Sequence, residues 1–83
     1  MKSREEIQNW LREKIAQKIK MPVEKIAIDV PFTNYGLDSI LIVTLVDELE
    51  EWLETSLDPT IFWEYPTIEI LTDWLLSAEL PRK

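Results

Sequence analysis

Apolar residues recur at helical spacing in three long stretches of the chain. In the first, Ile7, Trp10, Leu11, Ile15 and Ile19 share one face, while Arg12, Glu13, Lys14, Gln17 and Lys18 lie elsewhere on the wheel. Ser3 and Glu6 stand three apart just ahead of that run, the spacing of a capping box. Pro22 stops it, because proline lacks an amide proton and disfavours a helical residue before it. The pattern predicts a first helix over about residues 4–20. In the second stretch Ile42, Val46, Leu49 and Leu53 form a stripe with Leu45 beside it, and Asp38 is a good N-cap, so a helix is expected from Ser39 to about Glu54. In the third, Thr67 caps a helix to about Glu79 with Ile68, Leu71, Trp74 and Leu75 inward, and Pro81 follows it. Asp58-Pro59 is a further start signal, predicting a short helix from Pro59 to Glu64 that carries Ile61, Phe62 and Trp63 and is broken by Pro66.

Residues 21–38 hold no helical pattern, and Pro22, Pro31, Asn34 and Gly36 punctuate them. Val23, Ile26, Ile28, Val30, Phe32, Tyr35 and Leu37 nevertheless make the segment apolar enough to pack onto the helices, with a short turn of helix at Val23 to Lys25. Only Ile26 to Val30 reads as a strand, and a lone strand has no partner. The expected fold is all-α: three main helices and one short one, with a long loop between the first and second. Eighty-three residues make one domain, 1–83, with a small core. Trp10, Trp63 and Trp74 read as core, since large aromatics fill a small interior efficiently.

Composition then narrows the chemistry. The chain has no cysteine and no histidine, so Ser–His–Asp and Cys–His catalysis are excluded within it, along with the commonest zinc ligands. A small helical domain of this kind is read as a non-enzyme. No loop has the alternating acids of a calcium site, although Asp29, Asp38 and Glu48 supply carboxylates; no metal is expected. Nothing resembles a signal peptide or a membrane span, which makes the cytoplasm the expected setting. Residues 1–25 carry seven bases and four acids; residues 26–81 carry twelve acids and no base. That acidic field disfavours nucleic acid and anionic membrane and favours a basic protein partner.

The acids and apolar residues converge around one serine. Gly36 permits a sharp backbone turn, Asp38 caps the second helix, and Ser39 falls in its first turn near unpaired amides and the positive end of the helix dipole. A phosphate on that hydroxyl would be stabilised there, although Asp and Ser also begin helices that bind nothing. Ile40, Leu41, Ile42 and Val43 span about 300° of arc, so one or two of them must be exposed beside Ser39. Asp47, Glu48, Glu50, Glu51 and Glu54 follow. Hydroxyl, apolar patch and carboxylates along one helix read as a docking surface around an attachment point.

Gly36-Leu37-Asp38-Ser39, approached through Phe32 and Tyr35 and followed by Leu49-Glu50-Glu51 and by Phe62-Trp63-Glu64-Tyr65-Pro66-Thr67-Ile68 with Leu71, resembles an acyl carrier protein of the polyketide-synthase or fatty-acid-synthase kind. The resemblance spans nearly the whole chain. It implies that Ser39 receives 4′-phosphopantetheine from coenzyme A through a phosphopantetheinyl transferase, and that the terminal thiol of the arm carries acyl groups as thioesters. It implies that Asp38 helps the transferase's site as well as capping the helix, and that Asp38 and Gly36 belong with Ser39 to the cofactor-binding site. It further implies that Ile40, Val43, Thr44, Asp47, Glu50 and Glu51 form the face read by partners, namely ketosynthase, acyltransferase or acyl-ligase enzymes with basic docking surfaces. The carrier is expected to be a monomer.

Some positions depart from the family pattern. Ile40 stands where leucine is common, Leu41 where a polar residue is common, which makes the exposed patch unusually greasy, and Trp52 is unexpected on a helix flank. The glycine-histidine-serine approach of peptidyl carriers is missing, which disfavours amino-acid cargo. The starting methionine and short flanks fit a stand-alone carrier, and a domain cut from a larger synthase would look alike. The rival reading is an unmodified helical docking module that uses the same apolar and acidic face, with Ser39 only a helix start.

Overall fold

The computed structural model describes residues 2–78. Four α-helices follow in order: α1 Arg4–Ile19, α2 Ser39–Leu53, α3 Ile61–Glu64 and α4 Ile68–Ser77. Among the described residues there is no β-strand, as expected, and the loop between α1 and α2 contains two 3-10 turns, Val23–Lys25 and Phe32–Tyr35. α1 begins with the capping box: the Glu6 amide donates to Ser3 Oγ at 3.1 Å, and the Ser3 amide donates to Glu6 Oε1 at 3.1 Å. α4 begins with Thr67, whose hydroxyl oxygen accepts from the Ile70 amide at 3.1 Å.

Two helix boundaries differ from expectation. The α-helical part of α3 starts at Ile61, not Pro59. Asp58 Oδ1 accepts from both the amide and the hydroxyl of Thr60, at 2.9 Å each, and the Ile61 amide reaches only three residues back, to the Asp58 carbonyl. The carboxylate thus closes a tight turn before the helix proper. α4 ends at Ser77, with Ala78 in extended geometry; the expected end at Glu79 and the stop at Pro81 lie outside the described residues.

Ile7, Leu11 and Ile15 of α1 meet Ile42, Leu45, Val46 and Leu49 of α2, Ile61 and Phe62 of α3, and Ile68, Leu71 and Leu75 of α4 in one core. Trp10, Ile19, Leu53 and Trp74, expected inward, are half-buried at its rim. Trp63 overturns its reading as core, with 53% of its surface exposed. A four-residue helix has a single inward edge, which Ile61 and Phe62 already occupy.

The long loop is packed and pinned. Ile26 and Phe32 are fully buried, and the Phe32 ring lies 4.7 Å from Phe62. The Phe32 amide donates to the Pro66 carbonyl at 2.8 Å and the Glu69 amide to the Ile28 carbonyl at 2.9 Å, tying the loop to the segment between α3 and α4. Within the stretch Ile26 to Val30, the Ile28 carbonyl is thus taken by the start of α4, and the Ile26 carbonyl and both polar atoms of Ala27 are taken by the Arg12 and Tyr35 side chains, so these groups need no second strand.

Candidate functional site

Ser39 is the first residue of α2 and is exposed. Two residues of local chemistry put it there. Gly36 closes the second 3-10 turn at φ 68°, the left-handed conformation that a side chain resists. Asp38 then caps α2: its Oδ1 accepts from the Leu41 amide at 2.9 Å, and its carbonyl accepts from the Ile42 amide at 3.0 Å. With the cap provided by Asp38, the Ser39 hydroxyl has no hydrogen-bond partner among the described residues. A hydroxyl that is exposed, unbonded and at the positive end of a helix is well placed for esterification by a phosphate. These residues fit a covalently held phosphate-linked group.

The helix wheel separates the two faces of α2. Ile42, Leu45, Val46 and Leu49 are buried. On the opposite side Ile40 is 75% exposed and Val43 44% exposed, and Thr44, Asp47 and Glu51 are exposed along the same stripe. Of the four consecutive aliphatics, Ile40 and Val43 are the outward pair and Ile42 is core. Leu41, read as part of an exposed patch, is instead half-buried, because it lies a quarter turn round from Ile40 toward Leu45.

The acids of α2 divide into free and engaged groups. Asp47, Glu51 and Glu54 are exposed and form no ion pair among the described residues. Glu48 instead faces α1. It pairs with Lys14 at 3.1 Å and also with Lys18, and the hydrogen bond from Lys18, supported by Lys14, holds its carboxyl below the ordinary value. Glu50 is half-buried, and its Oε2 accepts from the Leu57 amide at 2.6 Å, capping the loop that leaves α2. The structure thus gathers Ile40, Val43, Thr44, Asp47 and Glu51 on one face and gives Glu50 a structural bond at its edge. The Thr44 hydroxyl donates to the Ile40 carbonyl at 2.9 Å.

Three features escaped the sequence reading. Trp10 and Trp52 stack at 5.0 Å between ring centres across the α1–α2 seam, with Lys14 Nζ 5.5 Å from the Trp10 ring and Lys2 Nζ 4.9 Å from the Trp52 ring. The four-residue spacing of Trp10 and Lys14 was a signal for half of this arrangement; the pairing of Trp52 with Trp10 is tertiary. Exposed Trp63 is the second feature. The third is the left-handed closure of α1 and α2 by Lys20 and Glu54, at φ 57° and 56°. No group of three or more acids positioned for a metal ion occurs among the described residues, and none of their helices is long and apolar enough to cross a membrane.

The family model for the phosphopantetheine attachment site matches residues 9–75. Over 69 residues, 83% of its length, the chain is 39% identical to polyketide synthase PksL of Bacillus subtilis; over 65 residues, 78% of its length, it is 38% identical to 5-methyl-1-naphthoate synthase of Streptomyces sahachiroi. It spans only 2% and 4% of the lengths of those two relatives. Its fold is similar to that of a free-standing peptidyl carrier protein of Acinetobacter baumannii, with a TM-score of 0.85 and 35% identity over 90% of this chain and 94% of that one. It is also similar to an acyl carrier protein of Anabaena with a variant phosphopantetheinylation-site sequence, with a TM-score of 0.81 and 37% identity over 88% and 83% of the two chains. The chain belongs to the phosphopantetheine-binding carrier-protein family, whose members carry covalently attached 4′-phosphopantetheine.

Proposed function

We propose that residues 1–83 form one carrier domain in which Ser39 is the attachment serine, and that it carries acyl groups as thioesters in polyketide assembly. The observation that carries this reading is the exposed hydroxyl of Ser39, without a hydrogen-bond partner among the described residues, at the capped start of α2 and inside the family match. The similarity to polyketide synthases supports the choice of cargo class.

In loading, the Ser39 oxygen bonds to the phosphorus that becomes the phosphodiester, and the adenosine bisphosphate portion of coenzyme A leaves. The hydroxyl proton passes to a base of the transferase: the chain has no histidine, and the Asp38 carboxylate beside Ser39 is engaged in capping the Leu41 amide. The bound arm supplies a thiol, the nucleophilic sulfur that this cysteine-free chain lacks. Asp38 caps the start of α2 beside Ser39, and the first-turn amides that it leaves unpaired would stabilise the ester phosphate. Ile40 and Val43 give partners an apolar anchor beside the arm, while Asp47 and Glu51 steer basic surfaces toward it. The partners are a phosphopantetheinyl transferase and ketosynthase, acyltransferase or acyl-ligase enzymes, met by a monomeric carrier in the cytoplasm, where coenzyme A is at hand. Tethering then raises the effective concentration of cargo at each partner's site.

Intact mass after incubation with coenzyme A, magnesium and a broad-specificity phosphopantetheinyl transferase tests the reading. The expected result is a gain of one phosphopantetheine that is absent from Ser39→Ala. A folded protein that gains nothing with several transferases overturns it.

A further inference from the structure

The loop before Ser39 is held from two directions, by side chains without an evident part in the chemistry. Arg12 of α1, half-buried, donates from Nε to the Ile26 carbonyl at 2.9 Å and from Nη2 to the Val23 carbonyl at 3.1 Å. These are charge-assisted bonds from a rigid planar fork, which fixes two carbonyls at once. The next residue, Ala27, is gripped on both its polar atoms. Its amide donates to the Tyr35 hydroxyl oxygen at 2.9 Å, and that hydroxyl donates to the Ala27 carbonyl at 3.2 Å. Tyr35 is the residue immediately before Gly36, whose left-handed turn leads through Asp38 into Ser39. An unbroken series of contacts therefore runs from the α1 backbone through Arg12, Ile26, Ala27 and Tyr35 to the attachment turn.

We propose that Arg12 and Tyr35 are positioning residues for the attachment serine: together they clamp the long loop so that the turn from Gly36 to Ser39 is already ordered when a modifying enzyme meets it. This rests on the reading of Ser39 as the attachment site. Neither residue touches the reacting atoms. Their effect is on the fraction of molecules whose turn is in the geometry that binds. A site that is competent only part of the time binds more weakly in proportion to that fraction. Once bound, the turn is in place and the chemical step is unaltered. Loosening the clamp therefore raises KM for the carrier and leaves kcat alone, the pattern of lost binding common to ground and transition states.

Tyr35→Phe keeps the ring in its half-buried place and removes the hydroxyl; Arg12→Lys keeps the charge but loses the fork that spans two carbonyls. Two measurements are made on each, in the full chain. Amide hydrogen exchange is followed at Ala27 and at Leu41, whose amide is the one capped by Asp38. Loading kinetics are measured with coenzyme A, magnesium and a broad-specificity phosphopantetheinyl transferase. Ile7→Val, a core change that touches neither bond, shows how far a general loss of stability moves either readout. Tyr35→Phe is expected to speed exchange at both Ala27 and Leu41 and to raise KM about three- to tenfold, the range for one or two hydrogen bonds. Its kcat should stay within twofold, Arg12→Lys should follow it in direction, and Ile7→Val should change neither KM nor Leu41 exchange. Leu41 exchange that stays at the wild-type rate while Ala27 opens overturns the clamp, whether or not the protein is loaded. So does an unchanged KM in a wild-type protein that loads normally. A wild-type protein that is never loaded is a failure of the Ser39 reading, and the exchange data still decide the clamp.

Discussion

Three of the described residues adopt positive φ, and only one of them is glycine: Gly36 at 68°, Lys20 at 57° and Glu54 at 56°. Their shared conformation has opposite consequences for substitution. A Cβ added at Gly36 would meet nothing within 4 Å, so the penalty there is conformational and not steric. Gly36→Ala should destabilise by about 1–2 kcal/mol, the strain of a side chain in the left-handed region. Lys20 and Glu54 already bear that strain, because each closes a helix whose next amide reaches back five residues: Met21 to the Ala16 carbonyl at 3.0 Å and Thr55 to the Glu50 carbonyl at 3.1 Å. Glu54 also places a negative charge at the negative end of α2. Glu54→Gly should therefore raise stability by about 0.5–1 kcal/mol, and by more than Lys20→Gly, which forfeits a favourable charge. Urea denaturation of the three variants checks both signs. If Gly36→Ala were neutral, the turn before Ser39 would not depend on the left-handed backbone.

At the scale of elements, the α1–α2 seam is closed by an aromatic stack and by the clasp of Glu48 between Lys14 and Lys18. The carboxyl of Glu48 is held below its ordinary value of 4.5, first by the Lys18 hydrogen bond. A carboxylate whose folded pKa is lowered contributes stability that is fully present above the unfolded value and is lost as pH falls through the folded one. The clasp should hold from neutrality down to about pH 4.5 and fade below it. Because Glu48 is partly solvated, its worth at pH 7 is at most about 1 kcal/mol. Glu48→Gln should show that loss at pH 7 and none at pH 2, a convergence that denaturation across the pH range would reveal. This clasp also marks the boundary of what sequence could show. The helices, their N-caps and their inward stripes were legible, because periodicity of 3.6 and the Ser3, Asp38 and Thr67 caps are local properties. Asp38-Ser39 was legible as a helix start for the same reason, whereas periodicity said only that one or two of Ile40 to Val43 face out, and the choice of Ile40 and Val43 came from the family resemblance. The use of Glu48 by α1, the use of Glu50 by the Leu57 amide and the half-burial of Leu41 depend on what packs alongside, and no spacing within α2 encodes them. Trp63 was misread because hydrophobicity alone does not tell which edge of a short helix faces in.

On the whole-molecule scale, the sequence carries its acids in one long stretch, yet the fold does not leave them equally available. Glu48 is neutralised at the α1 seam, and Glu50 is turned toward the end of its own helix. Asp47 and Glu51 stand free on the face that holds Ile40 and Val43, close along α2 to Ser39. A basic partner approaching from solution feels the net field of −7, but its final alignment depends on which charges are exposed where it docks. Removal of the single charge at Asp47 or at Glu51 should therefore slow loading by a basic transferase more than removal of the single charge at Glu48, although all three lie within five residues of one helix. Steering of this kind acts on association, so the expected signature is a fall in kcat/KM of about threefold for Asp47→Asn or Glu51→Gln at low salt, shrinking as salt approaches about 0.5 M and the Debye length falls below the span of the contact. Glu48→Gln should change kcat/KM less than twofold at any salt. Equal effects from the two sets of substitutions would mean that partners respond to net charge alone, and that the sorting of acids by the α1 lysines has no bearing on recognition.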